Sequence, residues 1–406
     1  MGETIRIGIN TRTFTVDEPG GAVQAPTQLV HALSARADTE IVLFGHPSVK
    51  QQFPNLPLDS TGYVVDSQLY GVAWERAILP RRASLSGVDV LLAPNGNGPL
   101  HETPYPTVVW LHETGAIQGR SAGLHRLYRQ TTVPRVVSVA DIVTTNAEFS
   151  KTEIVESLPV ESGDVRVMHN GLSKPYLDAA QTGATVETPQ SVQGDQQSMG
   201  ANSPVTAETR HAGSNIRETD LPEQYVLFVG SINPRKNIGG LIEAFAQLKR
   251  DTTLPHELVM AGPSPKRIFQ QIDVDAADER DAALTSVGFV SDAELRTLYE
   301  NAACFAFPSL YEGFGIPPLE AMAMGTPVVT SNTTALPEVC GDAAMLVDPH
   351  DISAIREGIE TVLTDDELSD TLTNRGRVQA QQYTWDKAAD QMMEIAREVT
   401  ETESPA

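Results

Sequence analysis

Glu312 and Glu320, with seven residues between them, lie in the run 307–330, FPSLYEGFGIPPLEAMAMGTPVVT. The pattern predicts a strand ending at Pro308, then a loop whose Gly313 and Gly315 let backbone N–H groups approach a ligand closely. A helix follows that opens on Pro317 and Pro318 and stops at Gly325. Such a loop feeding a helix N-terminus offers unpaired N–H donors and a positive dipole end, which suits a diphosphate or sugar hydroxyls. One carboxylate at the loop's start and one in the first helical turn can point into one site. A lone acid in a first turn is as often simple dipole compensation, but Glu312 and the glycines beside it favour a site.

Upstream, 225–237 reads YVLFVGSINPRKN: a strand, Gly230, then Arg235 and Lys236 just before a helix. Fixed cations at a strand's carboxyl edge can neutralise a leaving diphosphate, which gains negative charge as its bond breaks. Alone, such a pair is more often merely solvated; its place ahead of the two carboxylates reverses that. In the N-terminal half, Gly20 and Gly21 follow the loop after the first strand and precede a helix. Their spacing is not GxGxxG, so dehydrogenase-type dinucleotide binding has little support. His112 and Glu113 end a strand at WLHE, where open α/β sheets place ligands, although a lone histidine there is more often structural. No His or Cys cluster has metal-ligand spacing, and no DxD pair stands between strands to hold Mg²⁺. Metal independence is expected, with Arg235, Lys236 and the helix dipole neutralising charge.

The elements that must position these residues alternate twice between strand-like and helical stretches, the signature of βα units around parallel sheets. The first series predicts strands at 5–10, 41–44, 88–93, 107–112, 142–146 and 165–170, with a helix over 25–36. The second predicts strands at 225–230, 257–262, 304–308 and 327–330, and helices at 237–250, 292–302 and 317–324. Helices near 352–363 and 385–398 finish the chain. Between the series, 178–221 is rich in Gln, Ser, Thr, Gly and Ala and poor in large apolar residues, too little to offset the entropy of ordering. The organisation expected is one Rossmann-like domain over 1–177, a disordered linker over 178–221, a second Rossmann-like domain over 222–384, and a C-terminal helix and tail over 385–406 that packs back on the first domain.

With 406 residues, two domains and a cleft are the default. No apolar run approaches the ~18 residues of a membrane span, and no signal-peptide pattern opens the chain, so a cytoplasmic location is expected, either free or peripheral on the inner face of the membrane. Two cysteines, Cys304 and Cys340, give no disulfide framework. A formal charge of −24 from 53 acidic and 29 basic residues repels nucleic acid and suggests a cell with high internal salt, where acidic surfaces are screened and hydrated. The 70–137 region is locally basic and could face an anionic membrane, or could simply carry scattered solvated arginines.

Here the chain resembles a known family. EGFGIPPLE matches the E-x7-E motif of the retaining glycosyltransferases of family 4, and the continuation through EVCGDAAMLVDP is similar to that family's. The resemblance spans nearly the whole chain outside the linker and implies the α/β GT-B architecture, two Rossmann-like domains whose parallel sheets face a cleft. It implies that Glu320 binds the nucleotide ribose, that Glu312 attends the transferred sugar, and that Gly230, Arg235 and Lys236 form a G-x(4)-R-K diphosphate clamp. Gly313, Phe314, Gly315 and Ile316 would complete the donor loop, with Gly20 and Gly21 near the donor phosphates and Val290, after Gly288 and Phe289, at the base. His112 would stand near the transferred sugar. Phe149, Ser150 and Asn170 would border the acceptor cleft, where Asn146 and His169 depart from the usual Ser and Pro, as Glu113 does from the usual Asp. The activity implied is retaining, metal-independent transfer of a mannose- or glucose-type hexose from a UDP- or GDP-sugar to a glycan or lipid-linked acceptor, by a front-face route. Relatives of surface-polysaccharide assembly and the acidic composition together suggest a haloarchaeal-type glycan pathway. The alternatives are a sugar-nucleotide epimerase and a catalytically silent nucleotide-sugar-binding protein.

Overall fold

The strands read as nearly unbroken apolar runs, such as VLLA and CFAF, because parallel strands covered by helices are buried on both faces. The computed structural model describes residues 4–15, 21–63, 68–112, 123–182, 221–231, 233–262 and 283–402. In the N-terminal domain β1 (Ile5–Asn10), β2 (Thr39–Phe44), β3 (Leu58–Asp59), β4 (Val90–Ala93), β5 (Thr107–Trp110), β6 (Ile142–Thr145) and β7 (Val165–Val167) form one sheet, ordered β3-β2-β1-β4-β5-β6-β7. Around it run α1 (Gly21–Ser34), α2 (Val49–Gln52), α3 (Gln68–Ala77), α4 (Leu79–Leu85), α5 (Gly123–Val137) and α6 (Glu148–Ser157). α7 (Lys174–Thr182) leads out of this domain.

The C-terminal sheet repeats the plan. β8 (Tyr225–Val229), β9 (Glu257–Ala261), β10 (Leu284–Gly288), β11 (Cys304–Phe307), β12 (Val328–Ser331) and β13 (Met345–Val347) are ordered β10-β9-β8-β11-β12-β13, and every pairing in both sheets is parallel. Its helices are α8 (Ile238–Asp251), α9 (Asp292–Asn301), α10 (Ile316–Met324), α11 (Leu336–Cys340), α12 (Ile352–Thr364) and α13 (Asp366–Ala380). In each sheet the order reverses between the first strand and its inner neighbour, so β1/β4 and β8/β11 are the switch points where such folds bind ligands.

The chain crosses between domains twice, side by side. Leu172 bridges Thr384 in parallel, and its amide donates to the Tyr383 carbonyl at 3.0 Å. α14 (Trp385–Thr402) then returns to the N-terminal domain, where Ala388, Met392, Met393, Ala396 and Val399 join the core of Ile7, Leu29 and Val30. α7 corrects the expected linker start: 178–182 continue a helix whose Tyr176 and Ala180 are buried against the C-terminal core. The remainder of the expected linker lies outside the described residues. Cys304 and Cys340 are free and buried, and no described helix is long and apolar enough to cross a membrane.

Candidate active site

The turn after β8 is braced before it reaches Lys236. The Asn233 side chain accepts the Arg235 amide at 3.1 Å, and Asn237 adopts a left-handed φ of 54° to launch α8. The Arg235 carbonyl accepts the Leu310 amide at 2.7 Å, tying this turn to the loop after β11. Gly262, at φ 113°, closes the neighbouring strand, and a Cβ there would strike the Gly230 carbonyl. Only glycine permits that approach.

Lys236 and Glu312, 76 positions apart, meet at the β8/β11 switch point with Nζ to Oε1 at 2.6 Å and only 10% of either side chain exposed. The ammonium also lies 4.6 Å from the centre of the Phe307 ring. The Ser309 hydroxyl sits 2.6 Å from the same Oε1, its shortest contact and its only charged acceptor, so its single hydrogen goes there. Two donors therefore fix one Glu312 oxygen, and the other is left for the cleft.

Gly315 caps α10 at φ 126°, and a Cβ there would press Leu336 at 2.9 Å. Pro317 and Pro318 then fill the first turn, and neither has an N–H to offer. The donors at this helix start are thus fewer than the loop-and-helix pattern suggests, and the positive dipole end carries more of the attraction. One turn on, Glu320 accepts the Tyr299 hydroxyl at 3.1 Å through Oε2. Burial pushes its carboxyl up to about 7, with Asp292 adding repulsion and the tyrosine hydrogen bond opposing both.

The N-terminal domain docks onto the same loop. Ser150 donates to the Gly313 carbonyl at 3.1 Å, Phe149 packs edge-on to Tyr311, and the Tyr311 hydroxyl donates to Glu153. α6 begins at Ala147, which has no side chain to cap it. The cap comes from the other domain: the Glu338 carboxylate accepts the amides of Glu148 at 3.0 Å and Phe149 at 3.3 Å, and faces His169 Nε2 at 3.2 Å. Burial raises the Glu338 carboxyl, yet these hydrogen bonds outweigh it and hold it below its usual range. Glu338 is a residue that sequence reasoning missed, since a helix lacking its own cap is the only local signal and the partner is 190 positions away.

A second missed group stands at the β1/β4 switch point. Glu75, 2% exposed, accepts from Asn10 and from the Arg12 guanidinium at 3.1 Å, and Asn95, at φ 62°, donates to Thr13 at 2.9 Å. Burial raises the Glu75 carboxyl against the pull of Arg12 and Asn10. Polar residues at the ends of apolar strands were the available signal. On the next strands, His112 lies against Trp110 with ring centres 4.5 Å apart, and Asn146 touches both.

The remaining candidates scatter. Gly21 opens α1, while Gly20 and Glu113 lie outside the described residues. Gly288 ends β10 at φ 70°, Phe289 is 77% exposed, and Val290 packs on the C-terminal core. Phe314 turns its ring to Tyr383 and His169. Asn170 is buried beside His169 in a cavity of about 240 Å³ whose other lining comes from 382–391.

Comparison with known proteins places this geometry. The family model described as "Glycosyl transferases group 1" matches residues 212–379. That match falls on the C-terminal domain, from β8 into α13. The chain is 40% identical over 170 residues to O-antigen chain mannosyltransferase B of Escherichia coli, covering 41% of this chain and 44% of that protein. It is 32% identical over 187 residues to the MMP alpha-(1->4)-mannosyltransferase of Mycolicibacterium hassiacum, 44% of each. The match thus spans under half the length of these curated relatives. Sucrose-phosphate synthase of Thermosynechococcus elongatus superposes over 98% of this chain and 100% of its own, with TM-score 0.68 at 19% identity. Anabaena HepE, solved with UDP and glucose, covers 97% of this chain and 100% of its own, with TM-score 0.65 at 16% identity. Over the described residues the chain therefore has the GT-B fold, two α/β domains with parallel sheets.

Proposed function

We propose that the protein is a retaining glycosyltransferase that moves a hexose of mannose or glucose type from a UDP- or GDP-sugar to a glycan or lipid-linked acceptor, without a metal. The observation that carries this reading is the buried Lys236–Glu312 pair at the β8/β11 switch point, beside the N-terminus of α10. As the bond from anomeric carbon to diphosphate breaks, negative charge grows on the leaving group, where Lys236, Arg235 and the helix dipole stabilise it. Glu312 places negative charge near the oxocarbenium-like sugar, and Glu320 accepts the ribose hydroxyls. The acceptor oxygen forms its bond on the face the diphosphate leaves, and its proton passes to a diphosphate oxygen. The mannosyltransferase names of two relatives favour mannose as the sugar. The Asn10, Arg12 and Glu75 group offers donors and acceptors for the acceptor's hydroxyls.

Within the 70–137 region, Arg82 is engaged by Asp59 and Arg76 by Thr132. Arg76, Arg81 and Arg135 are exposed, while the side chains of Arg126 and Arg129 lie outside the described residues; liposome co-sedimentation indifferent to charge reversal at Arg76, Arg81, Arg82, Arg126 and Arg129 removes contact with an anionic membrane from this reading.

The decisive test is isothermal titration in molar KCl, with chelator present, of UDP, GDP, UDP-glucose and GDP-mannose against wild type and Glu320→Ala. Micromolar binding of one nucleotide, lost in the variant, is the expected result; no binding by any of the four rejects the reading. NMR of the transferred sugar's anomeric configuration then tests retention.

A further inference from the structure

We propose that Asn146 is a positioning residue that fixes which nitrogen of His112 carries its hydrogen, and so makes His112 a donor to a sugar hydroxyl and not a base. The consequence for transfer rests on the proposed function; the geometry does not.

Trp110 ends β5 and His112 follows it, while Asn146 follows the neighbouring β6, so parallel pairing brings the three side chains together. The buried Asn146 amide reaches both rings. Its Oδ1 accepts the Trp110 indole N–H at 2.7 Å, and its Nδ2 lies 3.0 Å from His112 Nδ1. An indole nitrogen can only donate. The amide oxygen must therefore face Trp110, and the NH2 group must face the histidine. An amide NH2 also only donates, so His112 Nδ1 accepts and carries no hydrogen. In the neutral ring the hydrogen then sits on Nε2. The tilted stacking of the two rings keeps His112 from rotating out of this arrangement.

An imidazole held this way presents an N–H at Nε2, with its only free lone pair already engaged at Nδ1. It can hydrogen-bond a hydroxyl oxygen of the transferred hexose, but cannot take the acceptor's proton. That proton must leave by another route, and the diphosphate oxygen of the proposed mechanism supplies one.

Asn146→Asp separates this from a packing role because it keeps the shape and the Trp110 bond while replacing the donor with an acceptor. Long-range ¹H–¹⁵N NMR of ¹⁵N-histidine-labelled protein at pH 8 in molar KCl reads the tautomer, with His112 assigned by its loss in His112→Gln. Wild type should show Nδ1 unprotonated; Asn146→Asp should show it protonated. In transfer assays Asn146→Asp should lower kcat by on the order of a hundredfold, as loss of one preorganised donor does, with donor KM unchanged. A protonated Nδ1 in wild type, or the same tautomer in both proteins, overturns the inference. An altered tautomer with unaltered kcat overturns its consequence for His112. If wild type binds no nucleotide, the transferase reading fails, and the NMR result still decides what Asn146 does.

Discussion

Glu320 carries a stability cost beside the binding role proposed for it. An ordinary glutamate titrates near 4.3, whereas burial carries this one to about 7 in the folded chain. A raised folded pKa means the native state binds the proton more tightly than the unfolded chain, so stability is greatest at low pH and is lost as pH rises through about 7. Glu320→Gln keeps an acceptor for the Tyr299 hydroxyl and removes the buried charge. Its apoprotein should melt above wild type at pH 8, with the difference shrinking toward pH 5, as followed by thermal denaturation. The same variant should bind nucleotide about ten- to a hundredfold more weakly at pH 8, because an amide accepts at one atom where the carboxylate accepts at two. Lys236 and Glu312 follow a different logic. Lys236→Met leaves Glu312 buried and unpaired, which should cost about 3–5 kcal/mol in urea denaturation. Adding Glu312→Gln should recover most of that without restoring affinity for a diphosphate.

At the scale of elements, α6 illustrates what a linear reading lacks. Ten residues of EFSKTEIVES, opening on Ala147, make a marginal helix alone, and nothing in 142–157 announces that Glu338 will cap it. Glu338→Ala should cost about 1–2 kcal/mol, the scale of a lost cap with a favourable helix-terminus charge. Hydrogen exchange should quicken at the Glu148 and Phe149 amides; unchanged protection there would show that the carboxylate does not hold α6. The central strands were legible because burial on both faces writes them as apolar runs: 5–10 matches β1 residue for residue. Their ends were less so. The expected strand 107–112 leaves its ladder at Trp110, and 165–170 leaves at Val167; the released residues include His112, Asn146's partner, and Asn170. The edge strands β3, β10 and β13 are only partly buried except at Val347; β3 and β10 carry no continuous apolar run, and the run at β13 is only a few residues long.

For the whole molecule, the excess of 53 acidic over 29 basic residues sets a repulsion that salt relieves. Opposing it are exposed pairs that hold α14 to the N-terminal domain, Arg36 with Asp390, Arg397 with Asp38, and Arg166 with Glu398, which salt weakens but which contribute little each. The repulsion should win, because the apolar face of α14 docks it without charge. The melting temperature should rise as KCl goes from about 0.1 M to about 2 M, where screening falls within a few ångströms; a steady fall would show that the ion pairs dominate.

The sequence by itself determined the two α/β units, their switch-point loops and the residue types of the candidate donor site, because each is written locally: apolar runs, glycines where backbone must come close, prolines at a helix start, and cations just past a strand. The tertiary structure alone decided which of those residues meet. Lys236 finds Glu312 only when β8 and β11 lie side by side, Glu338 reaches α6 only across the interdomain contact, and Asn146 orients His112 only through the parallel pairing of β5 with β6. Such contacts depend on how strands are ordered in a sheet and how two sheets face each other, and no local pattern of residues records either.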